Sequence, residues 1–328
     1  MSASTRWIPL VLCVTVGLLI GAAPAQAQAG FFEKELGTDP AKVVEDVRLD
    51  MMSRGSHGSE SGSGPSPYLK ALGAPPKRVG LVSYYTVDIG NLKESSPLTT
   101  AASGWYSMRS ISVTQEGISL INQALYTVGF PAMKEAFAAH GMELLGPADY
   151  LDTPEKKAAY ESFQLETGGK GGLTNFLNKM NKAEFKLTNP AEGYKLIDLP
   201  RLNVSNEKKY GLALQGGSES VFEGLGHDLA KALGVDAVLV VYNVIQAEKK
   251  ATNLIGAYAY MFGPNPVPDT GQKLYWTGHQ YAGAWMKLDV PLIRTEKDAS
   301  QIDFDGSGMV ARALAERTAV YIEEEIAR

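Results

Sequence analysis

The alternation of hydrophobic and polar positions predicts a folded body that begins near Tyr68. Residues 78–86 are rich in β-branched and aromatic side chains, which is typical of a strand. Residues 115–140 place apolar side chains at helical spacing and predict a long helix. Gly129 and Pro131 lie inside that helix, and we expect them to kink it or divide it in two.

Two short elements and one segment without a clear pattern follow. Residues 142–145 predict a short strand, and Thr153 and Pro154 begin a helix that runs to about residue 163. Residues 166–210 are rich in Gly, Asn and Lys, and we interpret them as a loop-rich insertion.

The C-terminal third has the clearest pattern. A helix that carries the capping-box pair Ser220 and Glu223 ends at Gly234. The unbroken apolar run at residues 237–242 follows and is typical of a strand buried on both faces. Further strands are predicted at residues 255–262 and 273–278, with a candidate fourth at 281–292 and a closing helix at 309–326.

The order of these elements defines the fold class. It reads strand, helix, strand, helix, insertion, helix, three or four strands, helix. Helices before and after a run of strands predict an α/β or α+β fold, in which helices pack a single-layer mixed sheet.

Two segments precede the α/β globular domain, which we place at residues 68–328. Residues 28–52 form an N-terminal helical segment, in which Asp39 caps a helix at residues 40–52. Residues 53–67 consist mainly of Ser, Gly and Pro. Such a tract cannot bury enough surface to offset the entropy lost on ordering it, so we interpret it as a linker.

Residues 1–27 have the three-part pattern of a secretory signal peptide. Arg6 gives a positive start, residues 7–23 form an uncharged and mostly apolar run, and small residues surround Ala27. The run has 17 residues, whereas a membrane-spanning helix needs about 20. We therefore expect cleavage after Ala27 and a periplasmic or secreted chain. Cys13 lies inside the run rather than at its end, which argues against a lipoprotein.

Composition narrows the classes of partner. Removal of residues 1–27 takes away one Arg and no acidic residue, so the formal net charge goes from −5 to −6. A negative chain disfavours nucleic acid as a partner. The one cysteine leaves with the signal, which excludes disulfides and thiol chemistry afterwards. No later segment approaches 18 uninterrupted apolar residues, so we expect no transmembrane segment after cleavage.

Residues 303–308 are the best candidate for an ion site. Asp303, Asp305 and Ser307 match the first, third and fifth positions of a calcium loop, with a glycine at the sixth. The twelfth position, which requires a bidentate Glu, is Leu314. The loop leads into a helix, so Asp305 or Ser307 as its N-cap is the interpretation we favour, and we expect neither a metal nor a cofactor.

The other polar motifs are less specific. His227 and Asp228 resemble one pair of phosphohydrolase metal ligands, but the chain has only four histidines and the pair fits the exposed face of an amphipathic helix. Residues 168–172 are glycine-rich but lack the Ser or Thr of a phosphate loop. His140 and His279 end predicted elements, which favours structural roles. We assign no catalytic residue.

Aromatic side chains cluster on or beside the predicted strands. Ordinary sheet packing is the interpretation we favour. An aromatic-lined surface for a partner or a glycan is the alternative. The ten residues are Tyr84, Tyr85, Trp105, Tyr106, Tyr258, Tyr260, Tyr275, Trp276, Tyr281 and Trp285.

The sequence around residues 234–290 resembles bacterial envelope domains. Residues 233–239 (LGVDAVL) end a helix and enter a strand, a second strand runs to Phe262, and residues 269–271 (DTG) lead into residues 273–276 (KLYW). This pattern and the element order are similar to the curli-secretion lipoprotein family, the amino-terminal domain of TolB and the lipoprotein activators of penicillin-binding proteins. The resemblance implies binding or assembly among envelope proteins, and it carries over no catalytic residue.

Three functional hypotheses follow from these patterns. The first is an exported, non-enzymatic binding or assembly module of the bacterial cell envelope, acting through protein contacts with envelope proteins or with itself. The second is an exported hydrolase with a site near residues 166–210. The third is a periplasmic small-molecule or glycan-binding protein. Since no catalytic motif is recognisable, we favour the first.

Overall fold

The computed structural model describes residues 30–49, 67–88, 113–164, 186–187, 190–197, 199, 223–248, 250–267, 279–295 and 300–328. The α-helices in these ranges are α1 (Phe31–Leu36), α2 (Pro40–Glu45), α3 (Pro67–Leu72), α4 (Gln115–Ala139), α5 (Pro147–Tyr150), α6 (Pro154–Ser162), α7 (Ala230–Leu233) and α8 (Ser307–Ala327). A π-helix, Gly224–Leu229, runs directly into α7. Within the described ranges, none of the helices is long and apolar enough to span a membrane.

The strands form one eight-stranded sheet. They are β1 (Arg48–Leu49), β2 (Arg78–Asp88), β3 (Glu143–Leu145), β4 (Lys186–Leu187), β5 (Ala237–Ala247), β6 (Ala251–Phe262), β7 (Gln280–Thr295) and β8 (Ser300–Ile302). The main order is β1-β7-β6-β5-β2-β3, with β4 paired to β2 and β8 to β7. β2 is parallel to β3 and β5, and the other pairs are antiparallel. The predicted α/β class with one mixed sheet is confirmed.

Helices cover both faces of the sheet, and each face has its own hydrophobic cluster. On face one, α4 and α8 pack on the sheet through side chains such as Leu125 and Leu314. On face two, α5, α6, the π-helix and α7 pack through side chains such as Tyr160 and Leu233. Burial of one such leucine contributes about 1.5–3 kcal/mol. β5 is buried along almost its whole length, as the apolar run at residues 237–242 predicts.

α4 is one continuous helix, so the predicted division in two at Gly129 and Pro131 is wrong, and the predicted kink stays a prediction. Pro131 lies on the exposed side, where the carbonyl that loses its intrahelical partner can face water. Gly129 is buried. A Cβ at this position would lie 2.9 Å from the Tyr84 hydroxyl oxygen and 3.3 Å from the Ala311 Cβ, so the helix backbone lies close to both residues. The helix therefore passes close to β2 and α8 two residues before the proline.

Residues 30–49 belong to the same core as the sheet, although the sequence places the start of the folded body near Tyr68. Phe32, Val43 and Val47 are all buried in the face-one cluster. The N-terminal segment is therefore a packed layer of the body rather than an appendage to it.

The helix predicted at residues 40–52 is shorter in the structure. Its N-cap is confirmed, since the Asp39 carboxylate accepts the backbone N–H of Ala41 at 3.1 Å. The helix ends at Glu45, and β1 then pairs with β7. Leu49 is buried and Arg48 exposed, which is the period of two that a strand requires. The prediction of a helix beyond Glu45 is therefore wrong.

The segment before β5 is a π-helix that continues into α7, where an α-helix was predicted. A Cβ on Gly226 would overlap the carbonyl oxygen of Gly263 and lie 3.0 Å from His279 Cβ, so the π-helix touches the sheet at a residue without a side chain. Gly234 ends α7 in the left-handed conformation, as predicted. Ser220, half of the predicted capping box, lies outside the described residues.

The described part of the predicted insertion at residues 166–210 covers an edge of β2. β4 pairs antiparallel with the end of β2. The Ala191 N–H donates to the Tyr84 carbonyl at 3.2 Å, and the Ser83 hydroxyl donates to the Lys195 carbonyl at 2.9 Å. These contacts satisfy backbone groups that an open sheet edge would leave unpaired.

Candidate functional site

A row of stacked aromatic side chains crosses the sheet on face two. Tyr85 of β2 lies opposite Tyr242 of β5, which lies opposite Tyr258 of β6. Trp285 of β7 lies opposite Tyr258 and completes the row. The ring centroids are 5.3, 4.5 and 6.3 Å apart in that order, and each pair of rings is within 17° of parallel. We name these four side chains the aromatic row.

The aromatic row leads from the interior of the protein to its surface. Tyr85 is 1% exposed, Tyr242 3% and Tyr258 7%, whereas Trp285 is partly exposed. Burial raises the pKa of Tyr242 well above its usual value and also raises the pKa of Tyr258. Both hydroxyls therefore stay protonated, and the rings act through packing. Each stacked pair contributes about 0.5–1.5 kcal/mol beyond burial, so Trp285 has a rigid support.

Two cations lie near Trp285, and one aliphatic side chain packs against the same hydrophobic cluster as Trp285. The guanidinium carbon of Arg48 is 5.6 Å from the centroid of the Trp285 ring, which is a cation–π distance. Lys287 follows two residues later on β7, on the same face of the strand, and is exposed. Ile255 is partly buried against the face-two cluster, as is Trp285. We name Arg48, Ile255, Trp285 and Lys287 the aromatic end.

Neither cation of the aromatic end forms an ion pair with a described residue. Arg48 contacts Trp285, and Lys287 extends into solvent. Asp289, two residues further along β7, instead accepts a hydrogen bond from Asn253 Nδ2 at 2.9 Å. The aromatic end therefore carries two positive charges on a chain with a net charge of −5.

A second group of polar side chains lies around the π-helix. His279 Nδ1 is 3.2 Å from the Gly263 carbonyl oxygen, so Nδ1 carries a proton and donates it, and Nε2 is an acceptor. Burial lowers the pKa of His279 despite the opposing effect of that carbonyl, which favours the neutral ring. His227 and Asp228 pair with each other at 2.9 Å on the exposed side. Among the described residues, no group of three His, Cys, Asp or Glu side chains is placed to hold a metal ion.

The calcium-loop candidates have other partners. Asp303 Oδ2 accepts the backbone N–H of Phe31 at 2.6 Å, and Oδ1 accepts that of Gly306 at 3.1 Å. The Ser307 hydroxyl is buried and donates to a backbone carbonyl at 2.6 Å, while Asp305 is exposed. Gly306 is the N-cap of α8 and makes no side-chain cap bond, so the prediction that Asp305 or Ser307 caps this helix is wrong. Asp303 instead joins the start of α1 to the start of α8.

His140 joins α4 to α8. Its Nδ1 is 2.9 Å from a Glu323 carboxylate oxygen, and its Nε2 is 3.0 Å from one of Glu316. Burial lowers the pKa of His140, but hydrogen bonds and charge from the two carboxylates raise it by more, and the net shift is upward. Both ring nitrogens donate when the ring is charged, so protonated His140 bridges the two helices through two charged hydrogen bonds.

Most of the described aromatic residues that the sequence singles out are core residues. Five of them are at most 7% exposed, namely Tyr84, Tyr85, Tyr258, Tyr260 and Tyr281. Trp285 is the exception among those described, since it is partly exposed. Sheet packing therefore accounts for these five tyrosines. Among the described aromatic residues, Trp285 of the aromatic end remains as the candidate for a surface that contacts a partner.

Sequence reasoning missed Arg48 and Lys287 as parts of a site. Arg48 lies in a segment predicted as helix, and Lys287 in a candidate strand far along the chain, so nothing local indicates that the two meet at Trp285. The one signal of a strand in the sequence was the alternation of apolar and polar residues at Val47, Arg48 and Leu49. In the structure these residues are buried, exposed and buried.

Several predicted features lie outside the described residues. They are residues 1–27, the glycine-rich residues 168–172, the strand at 273–278 and the aromatic residues Trp105, Tyr106, Tyr275 and Trp276. Most of residues 166–210 also lies outside, so a hydrolase site there stays a prediction.

Comparison with known proteins adds no relative. No protein-family model, no curated protein and no solved structure matches the chain. The resemblance to envelope domains therefore stays a prediction from the sequence.

Proposed function

We propose that this protein is an exported, non-enzymatic binding or assembly module of the bacterial cell envelope, and that its aromatic end contacts a partner protein. The observation that carries the proposal is Trp285, which is partly exposed at the end of a stacked row and lies beneath the Arg48 guanidinium. Trp, Tyr and Arg are the residues that most often dominate binding energy at protein interfaces.

The support beneath Trp285 favours binding. Immobilising a flexible side chain at an interface costs about 0.5–1.5 kcal/mol. Trp285 is already stacked on Tyr258, and Tyr258 on Tyr242, so much of this cost is met before a partner arrives. A preordered indole with a cation beside it is suited to recognition.

Export is the second part of the proposal. Residues 1–27 carry the pattern of a cleaved signal. The first backbone N–H of α1, on Phe31, is bonded to Asp303. Cleavage after Ala27 leaves this contact intact, so the folded body is compatible with removal of the signal.

Capture from an envelope extract of the source bacterium tests the proposed function. The mature chain, its Trp285→Ala variant and its Leu120→Ala variant are immobilised in parallel. Leu120 is 67% exposed on α4, which packs on the opposite face, so this control removes an exposed apolar side chain elsewhere. We expect one protein to be recovered by the mature chain and by Leu120→Ala but not by Trp285→Ala. Equal recovery by all three, or no recovery by the mature chain, contradicts the proposal.

A glycan is the second candidate ligand for the same surface. Sugars commonly contact exposed indole rings, and the Trp285 side chain is partly exposed. A periplasmic glycan-binding role would use the aromatic end without any protein partner.

A further inference from the structure

The charges around Trp285 restrict the chemistry of a partner at the aromatic end. Arg48 and Lys287 are both exposed, and neither forms an ion pair with a described residue. These two cations repel a positively charged group of a partner. They attract a carboxylate of a partner, because each of them is a positively charged hydrogen-bond donor.

We propose that the aromatic end binds an acidic peptide segment in an extended conformation, an inference that rests on the binding role proposed above. An apolar side chain of the segment packs on Trp285. Carboxylates before or after it pair with Arg48 and Lys287. Arg48, Trp285 and Lys287 then each have a defined counterpart.

The spacing of the aromatic end fits an extended peptide. Trp285 and Lys287 are two positions apart on one face of β7, so their Cα atoms are about 6.6–6.8 Å apart along the strand. Alternate side chains of an extended peptide share one face at the same spacing. A segment that lies along β7 can therefore present an apolar side chain to Trp285 and a carboxylate to Lys287. Arg48 lies opposite Trp285 on the neighbouring strand β1. From there its side chain reaches a carboxylate of the bound segment.

The negative charge of the whole chain does not prevent this contact. Exposed charges are screened beyond a Debye length of about 10 Å at 0.1 M salt. The two cations lie next to the bound segment, and Asp289, two residues beyond Lys287 on β7, already accepts a hydrogen bond from Asn253 Nδ2. Local attraction therefore exceeds the general repulsion at moderate ionic strength.

Fluorine NMR of the mature chain labelled with 5-fluorotryptophan tests the inference. Trp105, Trp276 and Trp285 remain after the signal is removed, and a Trp285→Phe variant identifies the resonance of Trp285. The chain is titrated with a random copolymer of Glu and Tyr, with a copolymer of Lys and Tyr, and with polygalacturonate. The first two share Tyr and carry charges of opposite sign, and the third is an acidic glycan.

We expect the Trp285 resonance to shift with the Glu and Tyr copolymer and not with the Lys and Tyr copolymer. The Arg48→Glu, Lys287→Glu double variant should weaken this binding about tenfold. The matched Arg48→Lys, Lys287→Arg variant keeps both charges and should retain it. Binding should also weaken as salt rises from about 0.1 to 1 M, because the Debye length falls from about 10 to 3 Å. Both pairs of substitutions are at exposed positions, and thermal unfolding confirms that the variants fold.

Three results overturn the inference. They are no shift with the Glu and Tyr copolymer, an equal shift with the Lys and Tyr copolymer, and a response to polygalacturonate alone, which assigns the surface to an acidic glycan. The extract experiment separates this failure from failure of the proposed function. If Trp285→Ala loses the captured protein but the charge-reversed variant retains it, the surface is right and the acidic class is wrong.

Discussion

The histidine between α4 and α8 couples protonation to stability at the scale of one residue. Glu316 and Glu323 raise the pKa of His140 above its value in the unfolded chain, against the effect of burial. A raised pKa stabilises the folded state fully below the unfolded value of about 6.5, and this contribution is lost as pH rises through the folded pKa. The two carboxylates are 33% and 41% exposed, so solvent screening keeps the contribution small.

We expect the free energy of unfolding to fall by about 1 kcal/mol or less between about pH 6 and pH 9 through this group. The His140→Gln variant keeps a polar side chain but cannot become charged, so its stability should not show this part of the fall. Urea unfolding of both proteins at the two pH values measures the difference. Identical pH dependence in the two proteins would assign the effect to other groups.

Gly226 is required by a close backbone approach. A Cβ at this position would overlap the carbonyl oxygen of Gly263, and backbone cannot rotate away as a side chain can. We expect Gly226→Ala to destabilise the protein by about 1–3 kcal/mol. Gly224→Ala is the matched control, since the nearest atoms to its Cβ belong to the Phe163 ring at 3.8 Å. Melting temperatures measured side by side should show a loss at position 226 alone, and similar values for the two variants would contradict the close approach.

At the scale of elements, one carboxylate attaches the N-terminal layer to the body. Asp303 accepts backbone N–H groups of Phe31 in α1 and of Gly306 at the start of α8. Its removal leaves those donors without their acceptor, which costs about 1–3 kcal/mol. Gly306 also lies against Phe32, since a Cβ there would be 2.5 Å from Phe32 Cβ. The attachment of α1 therefore depends on this loop.

We expect Asp303→Ala to increase amide hydrogen exchange throughout α1 and to lower stability by about 1–3 kcal/mol. Asp305→Ala is the control, because Asp305 is an exposed acid in the same loop. Hydrogen exchange followed by mass spectrometry of peptides that cover residues 30–49 distinguishes the two variants. Equal exchange in both would show that Asp303 does not hold α1.

Local pattern predicts an element when its tertiary surroundings agree with that pattern. The apolar run at the start of β5 needs no further information, because a strand buried on both faces is mostly apolar along its length. α4 continues through Pro131, and its Gly129 lies against Tyr84 and Ala311, residues distant in sequence that only the folded structure brings together. β1 is a strand because β7 is there to pair with it.

The candidate site shows the same limit. Trp285 is one of the aromatic residues that the sequence singles out, and its strand was predicted. Its partial exposure, however, depends on which parts of face two the helices cover. Arg48 reaches it only through the register of β1 on β7. Sequence alone therefore supplies one of the four residues of the aromatic end.

At the scale of the whole molecule, the two faces of the sheet differ in a way that concerns function. α4 and α8 pack on face one together with the N-terminal helices α1 to α3. On face two, the aromatic row is buried at Tyr85 and Tyr242 and reaches the surface at Trp285. The N-terminal segment contributes to both faces, because it buries Phe32 in face one and places Arg48 over the ring on face two. If the aromatic end is the binding surface, we expect binding to require the N-terminal segment to be folded.

The most direct test of the binding role is the dissociation constant of the partner protein recovered from the envelope extract. Calorimetric titration is carried out with the mature chain, Trp285→Ala and Leu120→Ala. We expect Trp285→Ala to weaken binding by about 2 kcal/mol or more, which is roughly 30-fold, as for a residue central to an interface. Leu120→Ala should change it by about 0.5 kcal/mol or less. An unchanged dissociation constant for Trp285→Ala would contradict the assignment of the aromatic end as the binding surface.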